Sequence, residues 1–191
     1  MLHLLKSRFS GLAAALFGAS PLRRFIHQDD ATTAVEFGLV GAPFIALTFA
    51  TMQTGLLFFA GQTLETAAAN AARLVLTGQA QTQGWSAAQF KQQVCNSITA
   101  IFNCQSGVYV DVETYSSFAA VNLSLPIANG SFTAASMNYN PGGPGDIVVV
   151  RLYYQYPVYV NLLGSTLANL NNGTNLLAAT AVFKNEPYAS S

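Results

Sequence analysis

Few side chains here can do chemistry, and their spacing limits what they could do. Glu36 stands directly before 28 uncharged residues, Phe37 to Leu64. Asp29 and Asp30 form an adjacent acid pair, the kind that can share a proton or a metal. Just ahead of a helix such acids are favoured simply by the helix dipole, and that is the reading adopted. His3 and His27 are the only histidines, and both precede the apolar run. Nothing downstream supplies an imidazole for a Ser-His-Asp triad or a histidine ligand for zinc. Asp111 and Glu113 alternate on a presumed strand, so they share a face. That pattern fits a glycosidase-like acid pair and equally fits two surface acids, the commoner arrangement. Asp146 is alone in its loop and too few for calcium. The glycines of Asn140–Asp146 lack the lysine and the strand–loop–helix setting of a phosphate cradle. Cys95 and Cys104 have no zinc-type spacing. They are read either as one disulfide, if the region is exported, or as two buried free thiols. No catalytic residue, metal site or cofactor is expected.

The elements that must position these residues are set by hydropathy. Phe37–Ala60 is apolar enough to cross a bilayer, since about 20 apolar residues span a hydrocarbon core roughly 30 Å thick. Lys6, Arg8, Arg23 and Arg24 precede this run, and Gly61–Ala72 carries no basic residue. The positive-inside rule then places the N-terminal side in the cytoplasm and the bulk of the chain outside. An acid at the membrane border is costly unless paired. The chain has 191 residues, room for one anchor and one small domain. Only 8% of residues are charged, against about 25% in a typical soluble domain. The net charge is zero, and no basic stripe exists to hold a nucleic acid.

Residues 1–30 read as a basic cytoplasmic leader with a short helix on the inner membrane face. A cleaved secretory signal is the competing reading, and Pro21 directly after the small residues Gly18–Ser20 disfavours it. Ala31–Thr77 reads as one helix of about 45 residues, or nearly 70 Å at 1.5 Å per residue, whose last third projects as a stalk. Thr33 and Glu36 fit a capping box, Pro43 should bend the helix, and Gly78 is a fitting stop. The small residues Gly55, Ala60, Gly61 and Ala67–Ala72 suggest a packing surface. A polar linker follows at Gln79–Gly84. Trp85–Phe102 has helical spacing, with Ser86 a candidate N-cap. Val108–Tyr115, Ala120–Pro126, Ile147–Tyr156 and Leu177–Phe183 read as strands. Asn138–Gly145 reads as a loop, and Val158–Leu170 as a short helix ended by Asn171-Asn172-Gly173. The class is α+β: a long N-terminal helix, then a helix packed on a small antiparallel sheet. Residues 1–30, 31–78 and 79–191 are the expected leader, membrane-and-stalk helix and extracytoplasmic domain.

Three pieces resemble one family. They are DDATTAVEFGLVGAPFI from Asp29, LETAAANAARLVLTG ending at Gly78, and FKNEPY, Phe183–Tyr188. Together they resemble the TadE-like proteins of bacterial tight-adherence (Flp-type) pilus systems. The resemblance implies a pseudopilin or minor pilin in the bacterial inner membrane, working with other pilin subunits, an assembly platform and a prepilin peptidase. It implies a cut between Ala31 and Thr32, with alanine where the family carries glycine. Glu36, followed by Phe37, would then be fifth in the product. It implies that Glu36 pairs with the new α-amino group of a neighbouring subunit, and the capping role is the alternative. The contrasting reading of the whole chain is a membrane-tethered envelope ligand-binding module.

Overall fold

The computed structural model describes residues 29–98, 102–159 and 167–188. Two compact units divide the chain, Met1–Thr48 and Phe49–Ser191. One helix, α1 (Asp29–Leu76), begins in the first and ends in the second. Its helical assignment runs unbroken through Pro43. Asp29 is already helical, so Thr33 lies inside the helix and is not its N-cap. The capping box expected at Thr33 and Glu36 is therefore corrected. The two acids at 29 and 30 are favoured residues for a first turn, and alanine propagates a helix well, so the helix starts earlier than the Thr-x-x-Glu spacing suggests.

In the first unit, Val35, Phe37, Leu39, Val40, Phe44, Ile45 and Leu47 are all exposed. The helix Thr33–Leu76 contains a window long and apolar enough to cross a membrane. Threonines do not spoil this. The Thr48 hydroxyl donates to the Phe44 carbonyl at 2.8 Å, and Thr54 donates to Ala50 at 2.9 Å. Both donors are satisfied within the helix, as an apolar surrounding demands.

In the second unit the same helix is part of the core. Ala60, Leu64, Ala67, Ala68, Ala71, Ala72 and Val75 are buried at three- and four-residue steps. The last third is thus not a free stalk. Its alanine face packs in one cluster with Val108, Val112, Val148, Val150, Leu152 and Ala179. The small side chains let the sheet come close, and burial of this apolar surface is what holds the unit together.

After Gly78, a single turn α2 (Gln79–Thr82) stands where a plain linker was expected. Helix α3 (Ala87–Ser97) starts at Ser86 with a full capping box: the Ser86 hydroxyl accepts from the Gln89 N–H, and the Gln89 side chain accepts from the Ser86 N–H. It ends earlier than the spacing predicts, because Ile98 is extended. A short turn α4 (Cys104–Gly107) leads into β1 (Val108–Tyr115).

The main sheet has the order β1–β4–β5, all antiparallel, with β4 (Ile147–Pro157) central and β5 (Thr174–Lys184) on the far side. Even-numbered β4 residues Val148, Val150 and Leu152 share the cluster with α1. Odd-numbered residues take the other face, where Tyr153 packs with Leu170 and Leu176 and against Tyr109, Ile127, Phe132 and Met137. Coverage on both faces explains why β4 reads as a near-continuous apolar run. The second face is partly roofed by a small hairpin, β2 (Ile127–Ala128) with β3 (Ser131–Phe132). No strand forms at Ala120–Pro126: a 3-10 turn covers Phe118–Ala120, and residues 121–126 are irregular. The segment is tied down by a side chain instead: Arg151 donates to the Asn122 carbonyl. The helix expected over Val158–Leu170 falls mostly outside the described residues, and its described ends are not helical.

Candidate functional site

The structure separates the sequence-derived candidates into three places. The first is the exposed start of α1. Ala31 and Thr32 lie within the helix, and Glu36 and Phe37 are exposed on it. Glu36 has no hydrogen-bond or ion-pair partner among the described residues. Its carboxylate is free to meet a group from another molecule. The leader before residue 29, with its interfacial helix and basic residues, lies outside the described residues.

The second place is the disulfide. Cys95 in the last turn of α3 and Cys104 at the start of α4 are bonded, with Cα atoms 5.6 Å apart. The bond closes the short segment containing residues 99–101. Lys91 adds a parallel tie, its ammonium donating to the Gln105 carbonyl at 2.9 Å. Burial pushes the Lys91 pKa down.

The third place gathers Asp111 and Glu113, which do share a face, but around a residue the sequence reading missed. Arg151 is the direct cross-strand partner of Asp111. Its Nη2 contacts Asp111 Oδ2 at 2.7 Å and also contacts Glu113. Its Nη1 donates to the Asn122 carbonyl at 3.0 Å, which fixes the irregular segment after β1. Asp111 is 4% exposed and also accepts the Asn138 N–H at 2.9 Å. Tyr115 donates its hydroxyl to Glu113 at 2.6 Å. Burial is the largest influence on the Asp111 carboxyl and lifts it above its usual value, against the pull of the Asn138 N–H and the Arg151 charge. Burial presses Arg151 downward, but the charges of Asp111 and its neighbours more than offset that, so the guanidinium stays protonated. A cleft of about 200 Å³ opens over Arg151, lined also by Tyr115, Leu125, Pro126 and Tyr153. Its charged groups already bind one another. Neither carboxylate stands free as the acid or base of a hydrolytic pair. The signal for this cluster was available: a lone arginine in IVVVRLYYQY and a lone aspartate in VYVDV must find each other if both strands are buried.

Two further contacts were not foreseen. Gln53, inside the apolar run, is buried; its amide donates to the Pro157 carbonyl at 3.5 Å and accepts the Tyr159 N–H at 3.3 Å. At the other end of the unit, the chain after β5 closes on the end of α1. The Glu186 N–H donates to the Leu76 carbonyl at 3.0 Å. Buried Asn185 donates to the Pro141 and Gly143 carbonyls at 3.0 and 2.9 Å, which holds the Asn138–Gly145 loop against the same corner. Gly78, at φ +75°, lies so close to Tyr188 that a Cβ there would stand 2.4 Å from its ring. Among the described residues no group of three or more His, Cys, Asp or Glu is placed to hold a metal ion.

Comparison with known proteins gives one family. Residues 31–73 match the family model described as TadE-like protein. The match lies wholly within α1, from the candidate cut to the last buried turns, and it associates the chain with Tad/Flp pilus systems. No curated protein and no solved structure matches the chain.

Proposed function

We propose that this TadE-like chain is a non-catalytic pilin-like subunit or assembly factor of a Tad/Flp-type pilus. In this reading α1 holds it in the inner membrane with residues 79–191 outside. The observation that supports it best is the coincidence of the family match with an exposed apolar helix headed by a partnerless acid. A helix apolar on all sides is stable in lipid or against other such helices, and not in water. Glu36 supplies the assembly contact. A carboxylate in a low-dielectric setting is costly alone, and an ammonium offers both a charge and hydrogen-bond donors. Cleavage after Ala31 would create such an ammonium on a neighbouring subunit. The folded unit around the sheet presents the contact surface outside.

N-terminal sequencing of the protein recovered from membranes tests processing: a start at Thr32 is expected. Complementation of a deletion strain tests the pairing. Glu36→Gln keeps the shape and removes the charge, so it should leave membrane insertion and folding intact and reduce surface pili. Normal piliation by that variant would refute the pairing role. A pull-down from membranes that returns pilin or assembly-platform proteins supports the subunit reading. Recovery of a small ligand alone would favour an envelope binding module.

A further inference from the structure

We infer that the Gln53–Tyr159 end of the unit Phe49–Ser191 is seated within the outer boundary layer of the bilayer, with Tyr159 and the Leu56–Phe59 turn as its lipid contacts. This rests on the anchoring reading above and adds a membrane-facing surface on the folded unit itself. The key residue is Gln53. It is a polar residue in an apolar run, yet it is 8% exposed, because the end of β4 and the residues just after it dock on it through both of its amide atoms. Pro157–Tyr159 is therefore fixed beside α1 at that residue. About 20 helical residues cross a hydrocarbon core, and counted from Phe37 they end at Leu56. Gln53 then lies within one turn of the outer boundary. A strand end and the irregular backbone after it survive at such a depth only where protein satisfies their polar groups. The Gln53 side chain does that for the Pro157 carbonyl and the Tyr159 N–H.

The surroundings agree. Tyr159 is 81% exposed, and Met52, Leu56, Phe58 and Phe59 are exposed on α1 at neighbouring levels. No charged residue intervenes before Glu65. At roughly 100° per residue, Leu56, Phe59 and Phe58 spread over about 160° of the helix. One partner helix covers a narrower stripe, of about 100°; lipid covers all of it. A ring with a polar tip at this level is what membrane interfaces select.

The test uses the full-length chain in phosphatidylcholine vesicles, with and without bromine on the acyl chains. Trp85→Phe removes the single native indole. Three single substitutions then report position: Tyr159→Trp, Phe44→Trp in the apolar run, and Val182→Trp, whose residue pairs with Val149 toward the opposite end of β4. Bromine should cut emission at positions 44 and 159 and leave 182 unchanged. Loss at 44 with none at 159 overturns this inference and leaves the anchor intact. No loss at 44 overturns the anchor and this inference together. A blue-shifted but unquenched indole at 159 means that protein covers the site, which also overturns it.

Discussion

Arg151→Met removes a guanidinium while keeping most of the stem that packs on the sheet. Asp111 would lose its 2.7 Å contact and retain only the Asn138 N–H, while still buried. The Asn122 carbonyl would lose its donor as well. Removing one partner of a buried ion pair costs about 3–5 kcal/mol. Glu113, more exposed than Asp111, should add little, since surface pairs are worth about 0–1 kcal/mol. The loss is a large share of the roughly 5–15 kcal/mol that holds a domain. It also carries a pH signature. The Asp111 pKa is already raised in the folded state, first by burial. Without Arg151 a charge that pulls it down is gone, so it rises further. A raised folded pKa means that the native state binds the proton more tightly than the unfolded chain. The resulting stabilisation is present at low pH and is lost as pH rises through the folded pKa. The deficit of the variant should therefore be largest at neutral pH and shrink as the pH falls toward the ordinary aspartate range, about 4. Urea unfolding of the full chain in detergent at both pH values reads this directly. Adding Asp111→Asn should recover part of the loss at neutral pH. A deficit below about 1 kcal/mol, the worth of a surface pair, or an equal deficit at both pH values, would refute the reasoning.

Cys95 and Cys104 should resist thiol labelling in the denatured, unreduced protein. Replacing both with serine should cost about 2–3 kcal/mol by the chain-entropy model. Gly78→Ala should destabilise by about 1–2 kcal/mol for the left-handed backbone alone, and by more because of the Tyr188 ring; Tyr188→Ala in the same chain should relieve the second part and not the first. A reporter fused after Ser191 should be active only in the form that works outside the cytoplasm, and cytoplasmic activity would reverse the assigned topology.

The parts of the fold legible in the sequence are those where one periodicity dominates. The apolar run, the Ser86-x-x-Gln89 cap, Val108–Tyr115 and the β4 and β5 strands all carry a local signal that the tertiary structure reinforces. The parts that were not legible depend on distant partners. Thr33-x-x-Glu36 spells a cap, yet the helix had already begun at Asp29. Ala120–Pro126 has strand composition, but Asn138 and Asn140 meet the outer edge of β1 at Val112, and Arg151 holds the segment through the Asn122 carbonyl. The alanines after Glu65 read as a packing surface on a projecting stalk, but what they pack on was hidden because their partners lie many residues away, in β1, β4 and β5. Arg151 and Gln53 were missed for one reason. Each is a polar residue in an apolar segment, and only the fold shows what it holds. Glu36, by contrast, stands out in the sequence, but its proposed partner belongs to another molecule.

The third piece of the resemblance, FKNEPY, lies outside the matched residues, and the structure gives it a physical task. Every helix ends with carbonyls that lack intrahelical donors. At the end of α1 the Leu76 carbonyl takes the N–H of Glu186. Asn185, one residue earlier, is buried and fastens the Pro141–Gly143 loop. Tyr188 occupies the space beside Gly78 that any Cβ would fill. Pro187 supplies no N–H and fixes its own φ, which suits a chain that must leave the sheet and turn onto a helix end. Thr77-Gly78 and Asn185–Tyr188 are thus one corner, built from segments more than a hundred residues apart. Through that corner the buried end of α1 is joined to the chain just after β5 by a hydrogen bond as well as by the alanine face. The corner therefore closes the second unit on itself: it caps the last turn of α1 and fixes the direction in which the chain leaves β5.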